Sequence, residues 1–198
     1  MASQNRILSK IKSCTGCPLY NNQTPLLDNK SEADIIWVGL SAVKVNCTKK
    51  DTPLSAITNS GKLIAQIEQK SKRAEFYKTN LVKCLPLDNG KIRYPKKNEM
   101  QSCCKHLKSE VSALQPKLVF LLGKQVGDFV TDNKGIKYSE NFEYEHYMKD
   151  GTIYVPVHHP SYILVYKRKQ IESYINGISK IINQFMRNSL QPSNLKVA

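Results

Sequence analysis

A chain of 198 residues, 40% hydrophobic and 23% charged, has the make-up of one globular domain with a single sizeable core. Lys and Arg total 30 against 16 Asp and Glu, a formal charge of +14. This charge favours a polyanionic partner, nucleic acid above all, over an anionic membrane, because no basic amphipathic segment stands apart from the fold. No apolar run approaches the roughly 18 residues that cross a bilayer. The opening "MASQNRILSKIKSCTGC" carries no apolar signal core, so the expected compartment is the cytoplasm.

In "QNRILSKIKSC", Ile7, Leu8 and Ile11 share one side of a short helix that ends near the first cysteine. "DIIWVGL" (34–40) is an unbroken apolar run, the mark of a parallel strand covered on both faces. "SGKLIAQIEQKSKR" sets Leu63, Ile64 and Ile67 at helical spacing, with Ser60 as its expected cap. "FYKTNLVKC" reads as a strand, and "KKNEMQSCCKHLKSEVSALQ" as a helix with Met100, Cys103, Leu107, Val111 and Leu114 inward. "PKLVFLLG" (116–123) is a second buried strand, and "GKQVGDFV" opens a short helix. Residues 132–150, polar and aromatic, read as a surface excursion or β-hairpin. "GTIYVPVHHP" is the last strand, and a long helix closes the fold through Ile171, Ile175, Ile178, Ile182 and Phe185. Residues 1–188 thus read as one domain, and 189–198 as a tail expected to fray.

Strands alternating with helices predict a three-layer α/β/α sandwich around a mostly parallel sheet of about four strands. In such sheets ligands bind beyond the carboxyl ends of the strands. Three apolar strands end there in polar signatures: "GLSAV", "TNLVKC" and "HHPS".

Six cysteines occur, and disulfides explain them poorly in a cytoplasmic chain. Cys14 and Cys17 form a CxxC pair, Cys84 closes a strand, and Cys103 sits in the helix that follows. Four thiolates brought together suit a [4Fe–4S] cluster or a tetrahedral zinc. Cys47 and Cys104 are then spare, although chemistry alone leaves the fourth ligand open between Cys103 and Cys104.

The ordered set "CTGCPL", "IIWVGLS", "TNLVKCLP", "EMQSCC" and "HPSYIL" resembles the uracil-DNA glycosylase superfamily, and within it the iron–sulfur group, family 4. The resemblance runs from about residue 10 to 170. It implies an enzyme that flips uracil out of DNA, single- or double-stranded, and hydrolyses its N-glycosidic bond to start base-excision repair. It implies a monomer with cluster ligands Cys14, Cys17, Cys84 and Cys103. Cys103 is preferred to Cys104 because Glu99 and Leu107 match the family's register only there.

By the same resemblance His159 stands beside the flipped base, where a donor at O2 would stabilise the negative charge that bond cleavage leaves on the ring. Pro160 stiffens the turn, Ser161 is placed to meet a DNA phosphate, and His158 should point away from His159. Asn80 matches the base-reading asparagine, whose amide meets uracil O4 and N3–H. Gly39, Leu40 and Ser41 occupy the first active-site loop, usually G-E-A-P-G. Leu40 replaces the glutamate, which leaves Ser41 and Asp51 as substitutes for orienting water. Leu54 falls near the place of the ring that stacks on uracil, with Tyr94 as an alternative. Ser60 and Lys62 sit at a candidate phosphate-contact loop. Tyr162, Ile163 and Leu164 are candidates to wedge into the duplex, and Lys167, Arg168 and Lys169 to grip its backbone. The divergent first loop keeps two alternatives open: a non-catalytic DNA-binding protein on this scaffold, or a glycosylase for hypoxanthine or xanthine.

Overall fold

The computed structural model describes residues 2–188, so the expected fraying of 189–198 lies outside the described residues. In chain order the elements are α1 (Ala2–Lys12), β1 (Ile35–Ser41), α2 (Asn59–Gln69), β2 (Phe76–Val82), β3 (Leu87–Asp88), β4 (Lys91–Ile92) and α3 (Lys97–Leu114). Then follow β5 (Leu118–Leu122), α4 (Lys124–Thr131), β6 (Tyr147–Lys149), β7 (Thr152–Val157), α5 (Pro160–Tyr166) and α6 (Ile171–Asn188). Among the described residues no helix is long and apolar enough to cross a membrane.

The apolar runs lack polar alternation because each strand faces a helical layer on both sides. Ile35 and Trp37 of β1, Leu118 and Phe120 of β5, and Val155 of β7 pack with Ile64 and Ile67 of α2 and Ile175 and Ile178 of α6. The intervening Ile36, Val38, Val119 and Leu121 pack instead with Leu107 and Val111 of α3 and Val126 of α4. Trp37 is fully buried, stacked 4.6 Å from Phe120 and 6.3 Å from Phe76. These are the three expected layers.

Among the described residues the main sheet has five strands in the order β2-β1-β5-β7-β6, against an expectation of about four. The first four are parallel, and β6 pairs antiparallel with β7. The extra strand comes from residues 132–150, which form a hairpin partner at their end but are no mere surface excursion. Phe142 from this segment is 2% exposed and presents its ring edge to Tyr174, 5.6 Å away. No periodicity announces this burial, since one ring docks from an irregular segment.

The chain passes from β1 outward to β2, then returns through α3 to β5 on the other side of β1. That reversal splays the connections apart and opens a crevice at the carboxyl ends of β1 and β5. The outer edge of β2 is covered by the segment before β1. Leu26 N donates to Lys83 O at 2.9 Å, and Lys78 N donates to Asp28 Oδ2 at 3.0 Å.

Two local details differ from expectation. Thr58, not Ser60, caps α2: its Oγ1 accepts from Gly61 N at 3.0 Å, and Ser60 lies inside the first turn. The stretch between Cys84 and α3 holds the small β3–β4 hairpin, turned at Asn89 and Gly90, both with positive φ. Glu99 then anchors α3, accepting from Lys96 N at 2.7 Å and from both terminal nitrogens of Arg93 at 2.8 and 2.6 Å.

Candidate active site

One cleft collects the strand tips. Gly39, Leu40 and Ser41 come from β1, Asn80 from β2, Gly123 from the end of β5, and His159 from the turn after β7. Leu54, Thr58 and Ser60 close it from the loop entering α2.

Asn80 is 3% exposed and stands in register with Gly39 on the neighbouring strand. A Cβ on Gly39 would lie 2.4 Å from Asn80 Oδ1, so the carboxamide rests directly over the glycine. Leu54, held at φ 53, sits on the same spot, 3.4 Å from where that Cβ would be.

His159 is fixed by its own turn. Its Nδ1 accepts the Ser161 backbone N–H at 3.1 Å and lies 2.7 Å from Ser161 Oγ. A backbone N–H can only donate, so Nδ1 is unprotonated and the neutral ring carries its hydrogen on Nε2. Burial lowers the His159 pKa below its ordinary 6.5, which keeps that neutral form at physiological pH. Gly123, at φ +89, makes room behind the ring, since a Cβ there would come 3.2 Å from His159 Cβ. His158 points the other way, as alternation demands. Its Nδ1 is 2.8 Å from Tyr144 Oη, and its ring stacks on Tyr162 at 5.2 Å and 14°.

Other expected residues sit elsewhere. Asp51 does not line the cleft; its Oδ2 accepts Cys47 N at 3.3 Å within a turn. Among the described residues no Asp or Glu lines the cleft at all. Ser161, by contrast, lines the cleft with its Oγ 2.7 Å from His159 Nδ1. Ile163 is fully buried and Leu164 packs against the core, so neither projects as a wedge. Tyr162, Val165 and Tyr166 project instead. Lys167 is ion-paired with Glu140 with its side chain only 13% exposed, whereas Arg168 is exposed. Lys62 is exposed but outside the cleft lining. The sequence reading missed the fourth strand tip, Gly123-Lys124-Gln125, although "LLGKQ" carries the signal of glycine and polar residues after a buried strand.

Cys14, Cys17, Cys84 and Cys103 line a second, much smaller cavity of about 20 Å³, together with His106. Cys47 and Cys104 do not line it. Three nitrogens approach these sulfurs: Gly16 N to Cys14 at 3.4 Å, Lys83 N to Cys103 at 3.4 Å, and His106 Nε2 to Cys14 at 3.1 Å. Such N–H donors suit thiolate acceptors. Burial, then the neighbouring thiols Cys103, Cys17 and Cys14, push Cys84 up to about 12. Among the described residues no three His, Cys, Asp or Glu side chains gather tightly enough to hold a single metal ion.

A buried ion pair links the two cavities. Lys83, 1% exposed, pairs with Glu110, 0% exposed, and also donates to Thr79 Oγ1 at 2.5 Å and Asn80 O at 2.7 Å. Tyr77 Oη donates to Glu110 Oε1 at 2.9 Å, and burial beside that carboxylate raises the phenol's pKa far above its usual value.

Known proteins are similar to this chain across most of its length. It is 26% identical to a type-4 uracil-DNA glycosylase of Thermotoga maritima over 162 residues, covering 80% of this chain and 81% of the relative. It is 27% identical to a type-4 uracil-DNA glycosylase of Sulfurisphaera tokodaii over 176 residues, covering 86% of this chain and 71% of the relative. The family model of the uracil DNA glycosylase superfamily matches residues 30–182, a span that begins before β1, ends within α6 and takes in every strand tip of the cleft. The chain belongs to that superfamily.

Proposed function

We propose that this protein is a uracil-DNA glycosylase, a hydrolase of the N-glycosyl bond of deoxyuridine in DNA. The observation that carries the reading is the pairing of a neutral His159 with the buried Asn80 in one cleft. The Asn80 amide offers an N–H₂ to uracil O4 and an oxygen to N3–H. Cytosine presents the reverse pattern, so one side chain separates the two bases.

When the bond from C1′ to N1 breaks, its electron pair moves into the uracil ring and charge collects on O2. The Nε2–H of His159 is a donor for that oxygen, prepared before the charge develops, and Gly39 to Ser41 line the same cleft. Water then adds to the oxocarbenium-like sugar carbon and loses its proton to solvent. Such a path depends on stabilising the departing base more than on a strong general base. A cleft without a carboxylate is compatible with it.

Cys14, Cys17, Cys84 and Cys103 fit a [4Fe–4S] cluster, because four thiol side chains share one cavity with backbone N–H groups donating to two of the sulfurs. Held by these residues, the cluster would supply a structural tie between the end of α1, the end of β2 and α3. The non-catalytic reading draws on Leu40 and the absent carboxylate.

The test is incubation with uracil-containing single- and double-stranded oligonucleotides, scored as alkali-labile breaks. Breaks at uracil are expected, with a loss of at least about tenfold for His159→Ala. Breaks only at hypoxanthine or xanthine would reassign the base, and binding without any breaks would favour the scaffold reading.

A further inference from the structure

The outward face of α5 is aromatic where a solvated helix would be polar. Tyr166 is 74% exposed, Val165 67% and Tyr162 39%. The Tyr162 and Tyr166 rings lie 5.2 Å apart at 42°, one helical turn from each other. Tyr162 is backed by its stack on His158, so the surface is fixed from the core side. Tyr94, also 74% exposed, lines the same cleft from the segment between β4 and α3. Exposed apolar side chains gathered around one binding cleft mark contact with a ligand.

The chemistry around it selects the ligand. Arg168 and Lys169 are exposed just after α5, and Lys44 is exposed next to the cleft-lining Val43, on a chain of net charge +14. Flat rings among cations suit nucleobases on a phosphate backbone, because every base has a π-face to offer. A duplex hides those faces in its own stack, so the rings find partners only where bases are unpaired.

We propose that Tyr166 and Tyr94, with Tyr162 beside Tyr166, form a stacking platform for the unpaired bases flanking the extruded one, which makes single-stranded DNA the preferred substrate. This rests on the glycosylase reading above and adds the strand form that the site accepts.

The experiment measures fluorescence anisotropy of a labelled, uracil-free single strand of about 12 nucleotides at fixed salt. The comparisons are an abasic strand of equal length and the matching duplex. The base-bearing strand is expected to bind about tenfold tighter than either. Tyr166→Ala and Tyr94→Ala should each lose about fivefold or more on that strand and leave the abasic strand unchanged, while Tyr166→Trp retains binding. Equal affinity for base-bearing and abasic strands, or a duplex preference that Tyr166→Ala abolishes, would overturn the platform. Uracil release measured in parallel separates the two ideas. Release without base-dependent binding keeps the glycosylase and removes the platform, and base-dependent binding without release of any base does the reverse.

Discussion

Gly39 and Asn80 are in-register neighbours on β1 and β2, and a methyl group on the first would sit 2.4 Å from the Oδ1 of the second. Glycine is therefore required at 39 by close approach, since its φ is unremarkable. Gly39→Ala should push the carboxamide off its position and lower uracil release by about tenfold or more, as small displacements of a positioning group do. The fold should survive, so an unchanged melting temperature together with unchanged release would contradict the placement of Asn80.

The neutral state of His159 predicts a pH profile. Burial holds its pKa below 6.5, so release should stay level from neutral pH down through that value and fall only in more acidic solution. The stability effect has the same direction. Below about 6.5 the unfolded chain binds protons that folded His158 and His159 decline, so stability present above that pH is lost as pH falls through the window beneath it. Urea denaturation at a series of pH values would show this, and His159→Gln should reduce the slope.

The Lys83–Glu110 pair is fully buried, so truncating one partner strands a charge. Glu110→Leu and Lys83→Met should each cost about 3–5 kcal/mol in chemical denaturation. The double variant should cost less than the sum, because neither charge remains. It will not be neutral, as Tyr77 and Thr79 also donate hydroxyl hydrogens to Glu110.

The cavity lined by four cysteines predicts an iron stoichiometry. Protein purified without oxygen should be brown, with about four irons per chain. Cys14→Ala, Cys17→Ala, Cys84→Ala or Cys103→Ala should lose colour and iron, while Cys47→Ala and Cys104→Ala keep both. One zinc per colourless chain would count against the cluster.

The layers and the strand tips were legible because doubly covered strands and amphipathic helices leave strong periodic marks, as in 34–40 and 116–123. The alternation rule also separated His158 from His159. What stayed hidden depends on contacts between distant segments. Nothing local says that Phe142 enters the core, that Lys167 meets Glu140, or that Leu164 turns inward while Tyr166 turns out. Thr58 displaced Ser60 as the cap because helix starts shift easily by two residues when several hydroxyls compete. Asp51 is a carboxylate close to the first loop in sequence, but its turn uses it locally.

The covering of β2 by Leu26 and Asp28 has a consequence for behaviour in concentrated solution. A bare parallel edge invites another chain to add a strand, the first step toward aggregation. Here a non-strand segment occupies hydrogen-bonding groups at both ends of that edge, and the opposite border is a three-residue strand carrying Lys149. Asp28→Ala should therefore show itself first as self-association on gentle warming, before any loss of fold.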